Sequence, residues 1–265
     1  MNRVEATFRL ARESGNKVLM PFLCGGFPAP DATRPLLEAC QRGGAGIVEI
    51  GIPFSDPIAD GPVIAEAMHR AIAAGVTPGR VLQQVSDART SVSMGLVAMV
   101  SVSIACRGGR VSSFVRDAVA AGIDGFIFPD APLEESAELI DACREAGATA
   151  TLLVAPTTPP DRVSRIASAC SGFVYVLARA GITGERRDAP NVAPIVAALR
   201  KCTQLPVACG FGVANADHVR GIVAHADGAI VGSALVRKIS EAAAAGADPA
   251  AATEEFVRHL ATGLA

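Results

Sequence analysis

Short apolar runs alternate with segments of helical periodicity along the whole chain. Eight of the runs have the length and composition of buried strands, and they span residues 18–24, 46–51, 95–102, 125–128, 151–154, 172–177, 207–209 and 228–231. Helical patterns lie between them, at residues 32–42, 63–74, 78–88, 111–121, 133–146, 160–169, 192–201 and 216–224. Because no two runs are joined by a hairpin turn, the pattern predicts an α/β fold with an all-parallel sheet.

Eight strands in alternation with helices favour a closed sheet over an open one. A (β/α)8 barrel takes about 250 residues, which suits a chain of 265. We therefore predict a single-domain TIM barrel over residues 1–265, with an extra N-terminal helix in the amphipathic segment 1–17. A doubly wound open sheet is the alternative, and the absence of G-x-G-x-x-G after the first strand weakens it. The Ala-rich segment 242–252 is predicted to be a helical connection.

Composition and charge narrow the class of function. Half of the residues are hydrophobic, the formal net charge is −2 and the pI is about 6.1, so we expect neither a nucleic-acid partner nor an anionic membrane surface. No apolar run reaches the roughly 18 residues that a membrane span needs. The seven cysteines never form C-x-x-C, and no apolar signal core precedes them. They predict reduced, buried thiols in a cytoplasmic protein.

Two carboxylates stand out at the second predicted strand. In TIM barrels the chemistry lies at the carboxyl ends of the strands. Glu49 interrupts the apolar run, and Asp60 follows in the loop that leads to the next helix. Burial raises the pKa of a carboxyl group and suits Glu49 to donate a proton, with Asp60 as the partner base. The alternative is a structural glutamate that pairs with an arginine.

Glycines follow the last two predicted strands and indicate an anion site. Gly212 follows the seventh strand, while Gly232 and Ser233 follow the eighth. Such loops, with a helix N-terminus, commonly bind phosphate in barrels; the alternative is that the glycines only form tight turns. The charged, glycine-containing loop 178–189 is predicted to be a lid over the ligand, or else an ordinary solvated loop.

The positions of lysine and histidine exclude two mechanisms. A Schiff base needs a lysine in the pocket, and none of the three lysines (17, 201 and 238) lies at a strand end. The four histidines (69, 218, 225 and 259) fall in helical or connecting segments and are interpreted as surface residues, so no metal site is expected. Metal-free and cofactor-free acid–base chemistry on a phosphorylated small molecule remains.

The segment EIGIPFSDPIADGP at 49–62 closely resembles the signature of the tryptophan synthase alpha chain family. The resemblance continues in order through nearly the whole chain, in PF at 21–22, DAPLEE at 130–135, Tyr175, RAGITG at 179–184, GFG at 210–212 and GSALV at 232–236.

This resemblance implies a barrel that cleaves indole-3-glycerol phosphate to indole and glyceraldehyde 3-phosphate. Glu49 would protonate C3 of the indole ring, and Asp60 would take or stabilise the proton of the indole N–H. Phe22 and Tyr175 would line the indole pocket, and Thr183 would anchor the lid near Asp60. The phosphate would be held by Gly184, Phe211, Gly212, Gly232 and Ser233. A beta subunit that carries pyridoxal phosphate is the implied partner in an alpha2beta2 heterotetramer, and no cofactor is expected in this chain.

Two departures from the family pattern are present, and the first of them bears on the partner. The region after the third strand, AMVSVSIACRGG at 98–109, lacks the usual Tyr-x-Asn, and Cys24 stands where Thr is common. A stand-alone lyase that releases free indole is therefore one alternative. A non-catalytic regulatory paralogue is another, although it would have no need of both Glu49 and Asp60.

Overall fold

The chain forms a barrel of parallel strands surrounded by helices. The computed structural model describes residues 2–57, 60–178 and 191–265. The strands in these ranges are β1 Val18–Cys24, β2 Ile47–Gly51, β3 Gly95–Met99, β4 Gly125–Ile127, β5 Thr149–Thr151, β6 Leu153–Val154, β7 Val174–Leu177, β8 Val207–Gly210 and β9 Gly228–Val231. The helices are α1 Arg3–Glu13, α2 Thr33–Arg42, α3 Pro62–Ala73, α4 Pro78–Ala88, α5 Val102–Ala105, α6 Val111–Ala121, α7 Ala137–Glu145, α8 Pro160–Ala169, α9 Ala193–Leu199, α10 Ala216–Val223, α11 Ser233–Ala244 and α12 Pro249–Ala261. Short 3-10 turns cover Leu133–Glu135 and Thr262–Leu264.

The order of the strands closes the sheet into a barrel. The strands pair in the order β5-β4-β3-β2-β1-β9-β8-β7-β6, and every pair is parallel. The two ends of this order, β5 and β6, are consecutive pieces of one extended segment that is interrupted at Leu152. With β5 and β6 counted as one strand, the sheet has the eight strands of a (β/α)8 barrel. The predicted fold is therefore confirmed.

An inner cluster of side chains fills the barrel below its carboxyl end. It includes Ile47 of β2, Val97 of β3 and Phe173 just before β7. Phe8 of α1 packs on Phe173 with ring centroids 5.6 Å apart, so the extra N-terminal helix covers the amino end of the barrel. The alternate strand positions face outward and pack under the helices, as Val48 and Ile50 do in β2.

The third strand is shorter than the apolar pattern predicts. The sequence indicates a strand to residue 102, but β3 ends at Met99 and α5 begins at Val102. The hydroxyl of Ser101 accepts a hydrogen bond from the N–H of Ser103 and so caps this helix. That side-chain cap competes with strand pairing. The strand therefore ends at Met99, although the apolar pattern in the sequence continues to residue 102.

Two further expectations need correction. The Ala-rich segment 242–252 is not one helical connection, because α11 ends at Ala244, Gly246 has φ +68° and Asp248 caps α12. Not all of the cysteines are buried, since Cys106 and Cys202 are exposed. All seven thiols are free.

Candidate active site

A pocket opens at the carboxyl end of the barrel. Eight of the ten site residues predicted from the sequence line it, namely Phe22, Glu49, Asp60, Tyr175, Phe211, Gly212, Gly232 and Ser233. The other two, Thr183 and Gly184, lie outside the described residues, as does most of the predicted lid. The fold thus brings together side chains that come from five different strand ends.

Glu49 points into the barrel and is completely buried. It shares the inner face of β2 with Ile47, because alternate residues of a strand face the same side. Neither carboxyl oxygen has a hydrogen-bond partner among the described residues. Burial raises the pKa of Glu49 well above its ordinary value, so the group is a neutral acid that can donate a proton.

Asp60 lies in the loop between β2 and α3 and is half-buried. Burial raises its pKa to about 6, so the carboxyl group is mostly ionised at neutral pH. Cys24 lies at the end of β1. Burial, and to a smaller extent the nearby charge of Asp60, raise the pKa of its thiol to about 12. The pocket therefore combines a protonated acid and an ionised carboxylate, with a neutral thiol close to the latter.

Two glycines make room for the aromatic walls of the pocket. A Cβ atom on Gly51 would lie 2.5 Å from Cζ of Phe22, and one on Gly210 would lie 2.5 Å from the hydroxyl of Tyr175. Both distances are far below a van der Waals contact, so any side chain here would displace the ring. Neither glycine is among the ten predicted site residues, although Gly210 belongs to the GFG motif at 210–212. The signal that could have found them is a glycine at the last position of a strand.

One end of the pocket is built from backbone rather than from side chains. Phe211 and Gly212 both have φ of +82°, and Phe211 is the non-glycine residue with positive φ among those described. Gly232 precedes α11, and no side chain caps the first turn of that helix. The N–H of Leu235 donates to the carbonyl oxygen of Gly232 at 3.0 Å, but helix geometry leaves the N–H groups of Ser233 and Ala234 without a carbonyl partner in the helix. With the hydroxyl of Ser233, these two groups are suited to bind an anion.

The remaining lining residues are apolar and come mostly from strand ends and the loops after them. Several of them could have been predicted from two rules. Alternate residues of a strand face the inside of the barrel, and ligands bind at the carboxyl ends of the strands. These lining residues are Ile64, Met99, Pro129, Leu153, Val213 and Ile230.

One histidine differs from its predicted surface position. His69, His225 and His259 are exposed, but His218 is only 4% exposed and contacts the loop after β8. Helical periodicity places position 218 on the buried side of α10, beside Val219 and Ile222.

The loops after β3 and β4 are joined beside the pocket. Ser101 donates to one carboxyl oxygen of Asp130 at 2.6 Å, and the N–H of Val102 donates to the other at 3.0 Å. In this chain these contacts hold the region that lacks the Tyr-x-Asn pattern.

Metal ligands are not clustered in the described part of the chain. No group of three or more His, Cys, Asp or Glu side chains there is arranged to hold a metal ion. Among the helices of residues 2–57, 60–178 and 191–265, none is both long and apolar enough to cross a membrane.

The fold and the pocket together define a barrel enzyme with a buried acid at the carboxyl ends of its strands. The profile of one family, described as tryptophan synthase alpha chain, matches residues 8–264. The alpha chain of Halorhodospira halophila is 45% identical over 92% of this chain and 90% of its own length. That of Roseiflexus castenholzii is 40% identical over 98% and 99%.

Solved structures agree with the sequence relatives. A chain of Mycobacterium tuberculosis tryptophan synthase superposes with a TM-score of 0.90 at 31% identity, covering 99% of this chain and 98% of that one. The alpha subunit from Legionella pneumophila superposes with a TM-score of 0.89 at 30% identity, covering 100% and 98%. The chain belongs to the tryptophan synthase alpha chain family, and it is an enzyme of tryptophan biosynthesis.

Proposed function

We propose that this chain cleaves indole-3-glycerol phosphate to indole and glyceraldehyde 3-phosphate, as the alpha subunit of a tryptophan synthase. The observation that carries the proposal is the buried carboxyl group of Glu49, which has no partner among the described residues and lies in an apolar pocket that also contains Asp60. A carboxyl group without a partner is costly to bury. Its placement in a pocket at the carboxyl ends of the strands supports a catalytic use.

The shape and polarity of the pocket suit an indole ring. Phe22, Tyr175 and Leu153 give it apolar walls, and Glu49 and Asp60 supply its carboxyl groups. Stacking and edge contacts with the two aromatic side chains would orient the ring. The glycerol phosphate would then extend toward Gly232 and the first turn of α11.

The proton steps balance without any other reactant. Protonated Glu49 donates to C3 of the indole ring, and Asp60 takes or stabilises the proton on the ring nitrogen. The bond from C3 to the side chain breaks, its electron pair returns to the ring, and a proton that Asp60 has taken goes back to the ring nitrogen. The carbon released becomes an aldehyde as its hydroxyl group loses a proton. The carboxylate of Glu49 accepts that proton and is ready for the next cycle.

The phosphate group would bind at the backbone end of the pocket. Phe211, Gly212, Gly232 and Ser233 would surround it, and the uncapped N-terminus of α11 favours negative charge there. We include Gly184 in this set, and Thr183 as an anchor for the lid near Asp60, on the basis of the family resemblance.

The proposed reaction uses the indole ring as its electron sink, so it calls for neither a lysine nor a metal in this chain. None of the three lysines lines the pocket. The solved relatives are described as tryptophan synthase, and this supports a beta subunit as partner, in an alpha2beta2 heterotetramer. Pyridoxal phosphate would belong to that subunit.

The test is the release of indole from indole-3-glycerol phosphate by the purified chain, with and without the cognate beta subunit. We expect slow release that the beta subunit accelerates, and a loss of about 10²–10⁴-fold in kcat for Glu49→Gln. Glu66→Gln, which changes an exposed glutamate on α3, is the matched control. Full activity in Glu49→Gln would contradict the proposed mechanism. Fast release that the beta subunit does not change would instead favour the stand-alone lyase, which the family comparisons do not favour.

A further inference from the structure

We propose that His218 is a positioning residue that holds the loop after β8 in the conformation that binds phosphate. This inference rests on the proposed function, because it concerns the phosphate end of the same pocket. His218 does not line the pocket, and it would act through the backbone of Gly212 and its neighbours.

The ring of His218 lies against two backbone groups of this loop. Its Nδ1 is 3.2 Å from the carbonyl oxygen of Gly212 and 3.4 Å from the amide nitrogen of Ala214. A protonated Nδ1 donates to Gly212, whereas an unprotonated one accepts from Ala214. Either tautomer ties the turn to α10, and Val213, which lines the pocket, lies between the two contacts.

The backbone at His218 is also held in place. The backbone N–H of His218 donates to Oδ1 of Asn215 at 2.9 Å, and Asn215 caps the N-terminus of α10. The side chain is 4% exposed, so its position is set by packing as well as by hydrogen bonds. A rigid helix therefore carries the contact to the loop.

The loop needs such support because its conformation is an unfavourable one. Phe211 has φ of +82°, a backbone conformation that residues other than glycine rarely adopt. Strained backbone persists only where its surroundings hold it. Backbone N–H groups bind an anion well when they are aimed in advance, without reorganisation at the moment of binding.

Two substitutions of nearly equal shape separate the hydrogen bond from packing. His218→Asn keeps a polar atom close to the position of Nδ1, and His218→Leu has the same branching without one. We expect His218→Leu to bind inorganic phosphate about tenfold more weakly, from the loss of one hydrogen bond, and to raise KM for indole-3-glycerol phosphate with little change in kcat. His218→Asn should remain within about threefold of the unmodified chain, since it keeps the contact.

Ile222→Val, at a fully buried position of the same helix, is the control for packing and should leave phosphate affinity unchanged. Equal phosphate affinity in the Leu and Asn variants would overturn the inference while leaving the proposed function intact. If the unmodified chain binds no phosphate, the proposed function itself fails.

A measurement on the unmodified chain covers the case in which His218→Leu does not fold. The ¹⁵N resonance of Nδ1 of His218, assigned by its loss in His218→Asn, should shift when inorganic phosphate is added. The resonances of exposed His225 and His259 should not. A resonance of His218 that is insensitive to a saturating phosphate concentration would overturn the inference.

Discussion

Replacing Glu49 by glutamine should change how the stability of the protein depends on pH. Burial raises the pKa of Glu49 well above the ordinary value of 4.5. Below pH 4.5 the group is protonated in both the folded and the unfolded chain. Above it, the unfolded chain releases the proton while the folded chain keeps it, so the folded state loses stability as pH rises. The loss is about 1.4 kcal/mol per pH unit until the pH reaches the folded pKa.

The amide that replaces the carboxyl group has nearly the same shape and no proton to release, so Glu49→Gln should not show this loss. When the folded carboxyl group stays protonated from pH 5 to pH 7, the free energy of unfolding of the variant should rise by about 2.7 kcal/mol relative to that of the unmodified chain over this range. This is a large share of the roughly 5–15 kcal/mol that typically stabilises a domain.

Urea unfolding at half-unit pH intervals measures this difference. Asp60 also has a raised pKa, but it is present in both proteins and its contribution cancels to first order. Glu66→Gln, at an exposed position, provides the baseline for loss of a carboxyl group. A difference between Glu49→Gln and the unmodified chain that does not vary from pH 5 to pH 7 would show that Glu49 ionises normally in the folded protein. That result would refute the assignment of a neutral buried acid.

The same pocket yields three further predictions. Asp60 has a pKa of about 6, so kcat/KM should rise as pH increases through 6. Asp60→Asn should abolish this rise in the pH–rate profile, and an unchanged rise would show that another group causes it. Gly51→Ala should destabilise the chain by about 1–3 kcal/mol in urea unfolding, because the new methyl group overlaps the ring of Phe22. Adding Phe22→Leu should recover part of the loss, and additive effects of the two changes would contradict this contact. Inorganic phosphate at about ten times its Kd should stabilise the chain by about 1.4 kcal/mol and raise Tm. Chloride at equal ionic strength should not raise Tm, and an equal rise of Tm in both salts would indicate a general salt effect.

Local patterns predicted most of the elements because each strand of the barrel is buried on both faces. Such strands appear as continuous apolar runs with abrupt ends. β1 and β9 begin and end at the predicted residues. The errors lie where a side chain competes for the backbone, as Ser101 does after β3, or where uniform alanine composition conceals a turn, as around Gly246.

The candidate site was predictable to the extent that its residues are unusual for their elements. Glu49 is an acid in an apolar strand, and Gly232 directly follows the last strand. Gly51 and His218 were missed, and Gly210 was noted only as part of the GFG motif, because each acts through a neighbour that a local pattern does not reveal. Phe22 and Tyr175, for example, reach their glycines only across the paired strands of the sheet.

The sequence by itself determined the class of fold, the two carboxylates and the family. These depend on periodicity, residue type and a long continuous motif, all of which are local. Only the tertiary structure decided that Glu49 points inward without a partner among the described residues, that Asp60 is half-buried and that His218 contacts the loop after β8. Desolvation and side-chain contacts arise from groups that the closed barrel brings together from different parts of the chain, so they exist only once the barrel has formed.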